Sequence, residues 1–410
     1  MPKGKHVSAL QVAIVMVALV VALGPSAALR AAADDPASVF HNIGTVTQPA
    51  IDAIRAGVTT TNPSGKFASF DISWVDNERH IYYLADRSNN AVDAIDARDG
   101  SFIRYLGKGL FSGVVACATN CNGPDGVVTD QHGNVWVGDG HPASGGTSSL
   151  KELNPNTGAL IKSIDTGGAG RSDELAFGDV DGGRILIANP NEPTTAFTTL
   201  VNTQTQSIIG KVLYDEGAHA GLPAPGHGFK TNFGTPLVQH GLEQSAFASG
   251  RFYLNVPATI QNTGGEIDVY DANAARITAI FPLTTCGGTG LAAGRNGDLF
   301  VECGDSLRVV DANNGTEDAR YPDLGGADEI WFNPGDGNVY VELQAKGGVG
   351  VLDTVHKKTL FIPVAGTQGV HSIAASSHNN RVFMPISDNP DNGAGGIVML
   401  QQASERGDHE

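Results

Sequence analysis

One phrase recurs along the chain: a turn rich in Asp, Gly and Asn, a short apolar strand, a polar loop, and a partner strand ending near Asp. The leading strands are HIYYLA from His80, NVWVG from Asn134, RILIA from Arg184, RFYLN from Arg251, DLFVE from Asp298, NVYVE from Asn338 and RVFMP from Arg381. Their partners are AVDAID (91–96), SLKELN (149–154), TTLVNT (198–203), EIDVYD (266–271), SLRVVD (306–311), GVGVLD (348–353) and GIVMLQ (396–401). Apolar positions mostly alternate, as half-buried strands require. Between residues 67 and 401 the copies average about 48 residues, within the range of propeller blades. A copy of this kind cannot cover both of its faces alone, so copies pack face to face and close into a ring. The expected fold is all-β: a seven-bladed β-propeller of four-stranded antiparallel blades.

The seventh copy stops after its third strand, so an N-terminal segment should close the ring, from within residues 43–47 or 57–61 of the stretch 34–66. The step of 67 residues from Ile185 to Phe252 is longer than the others and holds an insertion, residues 214–240, rich in Gly, Pro and His. Residues 49–55 are the best candidate for a short helix, and 402–410 form a polar tail. Composition agrees with a turn-rich β-protein, since glycine supplies 53 of 410 residues without a collagen period.

Residues 1–33 read as a secretory signal peptide: Lys3, Lys5 and His6 precede an apolar run from Val7 to Leu23, then Gly24, Pro25 and small residues. Cleavage fits after Ala33 or Ala28, and an uncleaved anchor is the alternative. No later apolar stretch is long enough to span a membrane. The expected location is the periplasm or the medium. The formal net charge of −17 excludes nucleic acid and anionic membranes as partners recognised through overall charge. Four cysteines suit such a compartment. Cys117 and Cys121 share a turn-rich segment, while Cys286 and Cys303 flank a predicted hairpin near Asn296 and Gly297, so two local disulfides are expected. A zinc site built from C-x3-C and the distant pair is the alternative.

The segment GPDGVVTDQHGNVWVGDG (123–140) resembles the blade motif of gluconolactonase-like proteins and, with His in place of Asp, of streptogramin lyases. ADRSNNAVDAID (85–96) resembles the YVTN and NHL blade motif. The resemblance to this propeller superfamily covers essentially the whole chain after residue 33, and it implies the fold and, from the gluconolactonase group, metal-dependent hydrolysis such as lactone opening. Three tryptophans are too few for the docking repeats of quinoprotein dehydrogenases, and no Gly-His…Trp-Asp pair of WD-repeat blades is present.

In such a ring the first strand of each blade lines the central channel. Residues at the starts of these strands are Asp71, Asp125, Asp173 with Glu174, His240 with Glu243, Thr289, Asp328 with Glu329, and His371, with Asp86, Asn89, Asn90, Asp139 and His141 on the loops above. Converging carboxylates repel one another unless a cation or shared protons neutralise them. Asp71, Asp125, Asp173, Glu174 and Glu329 are therefore candidate ligands for a divalent cation, Ca²⁺ or Mg²⁺, which histidines would shift toward a transition metal. Glu243, His371 and His240 are candidate acid–base groups. Asp before an inner strand also caps turns, a purely architectural role. His219, His227 and His240 could belong to a lid, and Asp96, Asp271, Asp311 and Asp353 read as turn builders. No serine elbow, phosphate loop or H-E-x-x-H motif occurs. Two functions follow: a metal-dependent hydrolase or lyase acting on a small molecule in the channel mouth, or a non-catalytic propeller binding a protein, a glycan or the cell envelope.

Overall fold

The computed structural model describes residues 40–46, 67–193, 195–214, 241–364, 370–388 and 395–402. Seven four-stranded antiparallel sheets make up this part of the chain. Blade 1 comprises Ser73–Asp76, Ile81–Asp86, Ala91–Asp96 and Phe102–Leu106, and blades 2 to 6 repeat the pattern in strict sequence order. The repeated phrase thus supplies the second and third strands of each blade. Blade 7 runs Ala374–Ala375, Arg381–Ile386 and Gly396–Gln402, and its outer strand is Phe40–Val46 from the other end of the chain, paired antiparallel with Gly396–Gln402. This strand overlaps the first of the two expected ring-closing segments, 43–47. The second, 57–61, lies outside the described residues, as do the signal segment 1–33, the expected helix 49–55, residues 215–240 of the insertion and residues 403–410.

The turns explain why the repeat is legible. Asp96, Asp271, Asp311 and Asp353 each accept a hydrogen bond from the backbone N–H two residues on, at 2.8, 2.9, 2.7 and 2.9 Å. That is the Asx-turn geometry that favours Asp at this position. In blade 2 the Asp130 carboxylate accepts the backbone N–H groups of His132 and Asn134 and, at 2.9 Å, the indole N–H of buried Trp136. Asp336 plays the same part in blade 6, accepting from the Asn338 N–H and from the Tyr340 hydroxyl at 2.6 Å. One acid therefore closes a hairpin and fixes the aromatic ring that follows it.

Apolar residues from neighbouring sheets fill the seams. Tyr82, Leu84 and Ile95 of blade 1 meet Phe383, Ile397 and Met399 of blade 7, with Tyr82 and Phe383 stacked at 4.8 Å. Blades 3 and 4 are joined likewise through Leu186, Leu200, Phe252 and Tyr270. Both expected disulfides are formed: Cys117–Cys121, and Cys286–Cys303 across the first hairpin of blade 5.

Candidate functional site

The acids at the tops of the inner strands are set by a repeated backbone bond. Asp71, Asp125, Asp173 and Glu243 each donate their N–H to a carbonyl of the second strand of their own blade, at 2.8, 3.0, 2.8 and 3.0 Å. Equivalent backbone positions in successive blades thus aim successive side chains at one axis. Gly126 permits the close approach of blades 2 and 3, since a Cβ there would stand 2.4 Å from the Asp173 carbonyl oxygen.

Asp71, Asp125 and Asp173 converge, all buried, with oxygens within 4.8 Å of one another, a spacing that could hold a metal ion. Two buried arginines absent from the sequence-based candidate set stand among them. Arg87 Nη2 lies 2.5 Å from both Asp71 Oδ2 and Asp125 Oδ1, and its Nε donates to Asp125 at 2.9 Å. Arg171 reaches Asp173 at 2.6 Å and Asp71 at 3.4 Å. Burial pushes all three carboxyls up, but Arg87, Arg171 and His371 hold Asp71 well below the usual carboxylate range. Burial prevails at Asp125, which is raised well above its ordinary value, and at Asp173, which is raised to about 7 despite Arg171. Arg171 is itself kept protonated against burial by Asp173, Asp71 and Asp125.

His371 joins this cluster to a second one. Its Nε2 lies 2.7 Å from Asp71 Oδ1 and its Nδ1 2.6 Å from Asp328 Oδ2. The ring is about one-third exposed, Asp71 is buried and Asp328 is half open, with side-chain exposures of 32%, 1% and 43%. Burial disfavours the imidazolium, but the two carboxylates raise its pKa well above the ordinary value. Asp328 is held below its own despite burial, by the bond to His371.

Next in the chain to Asp173 and Asp328 stand Glu174 and Glu329, whose buried carboxyls repel each other unless one of them holds a proton. Burial raises both far above the ordinary value, and it does the same for Glu243, one of whose carboxyl oxygens has no hydrogen-bond partner. Glu329 also accepts from Ser372 Oγ at 2.9 Å.

A cavity of about 410 Å³ opens beside His371 and Asp328, walled also by Thr289, Glu302 and Glu342. Glu302 and Glu342 were not among the expected site residues. They are the penultimate residues of the second strands of blades 5 and 6, Asp298–Cys303 and Asn338–Leu343, and the sequence signal for them was the final Glu of DLFVE and NVYVE. Burial raises Glu302 to about 7, although it accepts the N–H groups of Gly326, Ala327 and Thr289. Burial likewise raises Glu342 to about 8.

The other expected positions lie apart from this centre. Asp86 accepts the Asn89 N–H and side-chain amide, Asp139 pairs with Lys151 at 2.5 Å, and His141 bonds the carbonyls of Pro142 and Ala169. Asn90 donates to the Phe111 carbonyl. His219, His227 and His240 lie outside the described residues.

No protein-family model matches the chain, and no curated protein matches it. Solved structures do. A streptogramin B lyase superposes with a TM-score of 0.59 at 10% identity, covering 90% of this chain and 100% of the other. Virginiamycin B lyase from Staphylococcus aureus gives 0.55 at 13% identity, covering 84% and 97%. A chain of the mitotic checkpoint complex gives 0.60 at 11% identity, covering 95% and 99%. At such identities the likeness establishes the shared fold, the β-propeller that the seven sheets form.

Proposed function

We propose that the protein is an extracytoplasmic hydrolase or lyase that takes a small molecule at the channel mouth and transfers protons between it and His371 with the surrounding carboxyl groups. The observation that carries the reading is His371, clamped between Asp71 and Asp328 at the wall of a cavity of about 410 Å³. That volume falls in the range of small-molecule sites, and clustered perturbed groups in a cleft are a recurrent mark of one. The secretory character of residues 1–33 and the two disulfides support a place outside the cytoplasm. Two of the similar structures are named as lyases, which supports reaction chemistry of this kind in such a channel mouth.

The two facing carboxylates favour the form of His371 with a proton on each ring nitrogen. A substrate oxygen displacing the half-open Asp328 would receive the Nδ1 proton, while buried Asp71, held by Arg87 and Arg171, keeps the Nε2 side in place. Glu302 and Glu342, raised toward neutrality, suit the complementary step of taking a proton from water in a hydrolysis or from carbon in an elimination. Glu243 keeps a proton close to Asp173 and Asp328 and is the reserve donor; His240, three residues earlier, belongs to the same candidate set.

Three carboxylates suit a hard cation such as Ca²⁺ or Mg²⁺. Guanidinium nitrogens already take the facing oxygens of Asp71, Asp125 and Asp173, so an ion at this position would have to displace Arg87 or Arg171 from a buried pairing. The arrangement does not fit a bound ion without that rearrangement, and no step is drawn through a metal.

A second reading has its own observation. The two arginines pair with three aspartates from different blades, which is what a non-catalytic propeller needs to pin its hub while its faces bind a protein, a glycan or the cell envelope. Turnover assays over lactones, esters and elimination substrates separate the two, with His371→Asn expected to lose at least about 100-fold while still melting cooperatively as a folded protein. A folded wild-type protein with no turnover across that panel would favour the binding reading. Metal analysis and EDTA treatment of the same preparation test the cation.

A further inference from the structure

The hub is matched by arginine on one side only. In blades 1 to 3, Asp71, Asp125 and Asp173 face Arg87 and Arg171. In blades 5 and 6 the acids are Glu302, Asp328 and Glu342, and no Lys or Arg stands among the described residues that line the cavity of about 410 Å³ beside them. The one cationic group of that described lining is His371, whose Nε2 is already engaged by Asp71. A further acid, Glu243, stands near enough to Asp328 for the two to repel, and its Oε1 is buried with no hydrogen-bond partner. Glu302 and Glu342 are buried and accept backbone N–H groups, so they act on an occupant of the cavity through their field. Asp328, with 43% of its side chain exposed, is the acid of this wall that a ligand can touch.

Carboxyl groups of one sign in a cleft with low-dielectric walls focus their field on its occupant. They hold protons only until another cation takes over the neutralisation. Burial raises Glu302 to about 7 and Glu342 to about 8; Asp328 adds to the rise at both, and His371 opposes it at Glu342. We propose that this cavity binds a small molecule through a protonated nitrogen group, an ammonium or amidinium, which donates hydrogen bonds to Asp328 and does here what Arg87 and Arg171 do on the opposite side of the hub. The inference rests on the reading of the cavity as a small-molecule site and not on turnover there. It also supplies the step that the proton transfer needs: a ligand cation paired with Asp328 draws that carboxylate from His371 Nδ1 and leaves the Nδ1 proton for a substrate oxygen.

Benzamidine and benzamide are matched probes of nearly one shape, charged and neutral at pH 8. Isothermal titration calorimetry of the full mature protein at low salt should show saturable benzamidine binding at least about tenfold tighter than benzamide. The preference should shrink as salt is added. Benzamidine binding should also release protons, seen as a binding heat that depends on the ionisation enthalpy of the buffer, and should weaken at least about threefold from pH 8 to pH 6. Asp328→Asn keeps the shape and removes the charge, and should weaken benzamidine about tenfold while benzamide stays within about twofold. Glu78→Gln makes the same change of charge at a side chain 84% exposed in the first hairpin of blade 1, and should alter neither affinity. Cooperative melting establishes that both variants are folded, and the wild-type measurements need neither. No saturable benzamidine binding, equal affinities for the two probes, or an equal loss in Glu78→Gln would overturn the cation site. Wild-type benzamidine affinity in folded Asp328→Asn would overturn the contact given to that residue. Saturable, charge-selective binding in a protein that turns nothing over would leave this site standing and remove the catalytic reading alone.

Discussion

Replacing Arg87 by Met probes the hub directly. Its guanidinium is buried and lies 2.5 Å from carboxylates of two different blades. With that cation removed, Asp71 keeps only Arg171 and His371 as cationic partners, and the buried cluster regains balance by capturing one further proton on a carboxyl group, beyond the one that burial already favours on Asp125. Holding a proton at pH 7 on a group whose unfolded pKa is about 3.9 costs about 4 kcal/mol, at 1.36 kcal/mol per pH unit. This agrees with the roughly 3–5 kcal/mol cost of breaking a buried ion pair. At pH 5 the same capture costs about 1.5 kcal/mol. The captured proton raises a carboxyl pKa in the folded state, so the variant is least impaired below about pH 4 and loses stability relative to wild type as pH rises. Urea unfolding followed by circular dichroism, with both proteins at pH 5 and pH 7, measures the difference. A deficit of about 4 kcal/mol at pH 7 that shrinks by about 2.7 kcal/mol at pH 5 is expected. A deficit under about 1 kcal/mol at pH 7, or one equal at both pH values, would refute charge compensation by Arg87.

Deleting residues 1–46 removes the outer strand of blade 7 and exposes Gly396–Gln402 as an open edge, so the product should aggregate or lose its cooperative melt, as read by size exclusion and circular dichroism. Converting Cys286 and Cys303 together to Ser opens a covalent link across 17 residues and should cost about 3 kcal/mol, read as a lower urea midpoint. Because burial raises Glu302 to about 7, the native protein retains a proton that the unfolded chain releases; its contribution is full below about pH 4.3 and lost as pH rises to about 7. Glu302→Gln should therefore flatten the pH dependence of stability between about pH 5 and pH 7 in the same urea series.

The blades are readable in the sequence because their determinants are local. An Asp that accepts the N–H two residues on, an alternating strand and an aromatic ring bonded to the hairpin acid all lie within one copy, so each copy announces itself, as Asp130 and Trp136 do in blade 2. The same locality made Cys117–Cys121 and Cys286–Cys303 legible, and it placed Asp71, Asp125, Asp173 and His371 at equivalent inner-strand starts. Charge neutralisation at the hub was not readable in this way. Arg87 opens a single 3-10 turn, Arg87–Asn89, after a second strand, and Arg171 lies two residues before Asp173, yet Arg171 meets Asp71 100 residues away in sequence. Contacts across a ring axis have no period in the chain; they exist only once seven twisted sheets have closed, bringing together blades that are not sequence neighbours. Tertiary structure alone therefore decided which charges pair, while for blade 7 it chose between the two N-terminal segments that the sequence offered, the strand Phe40–Val46 overlapping the first.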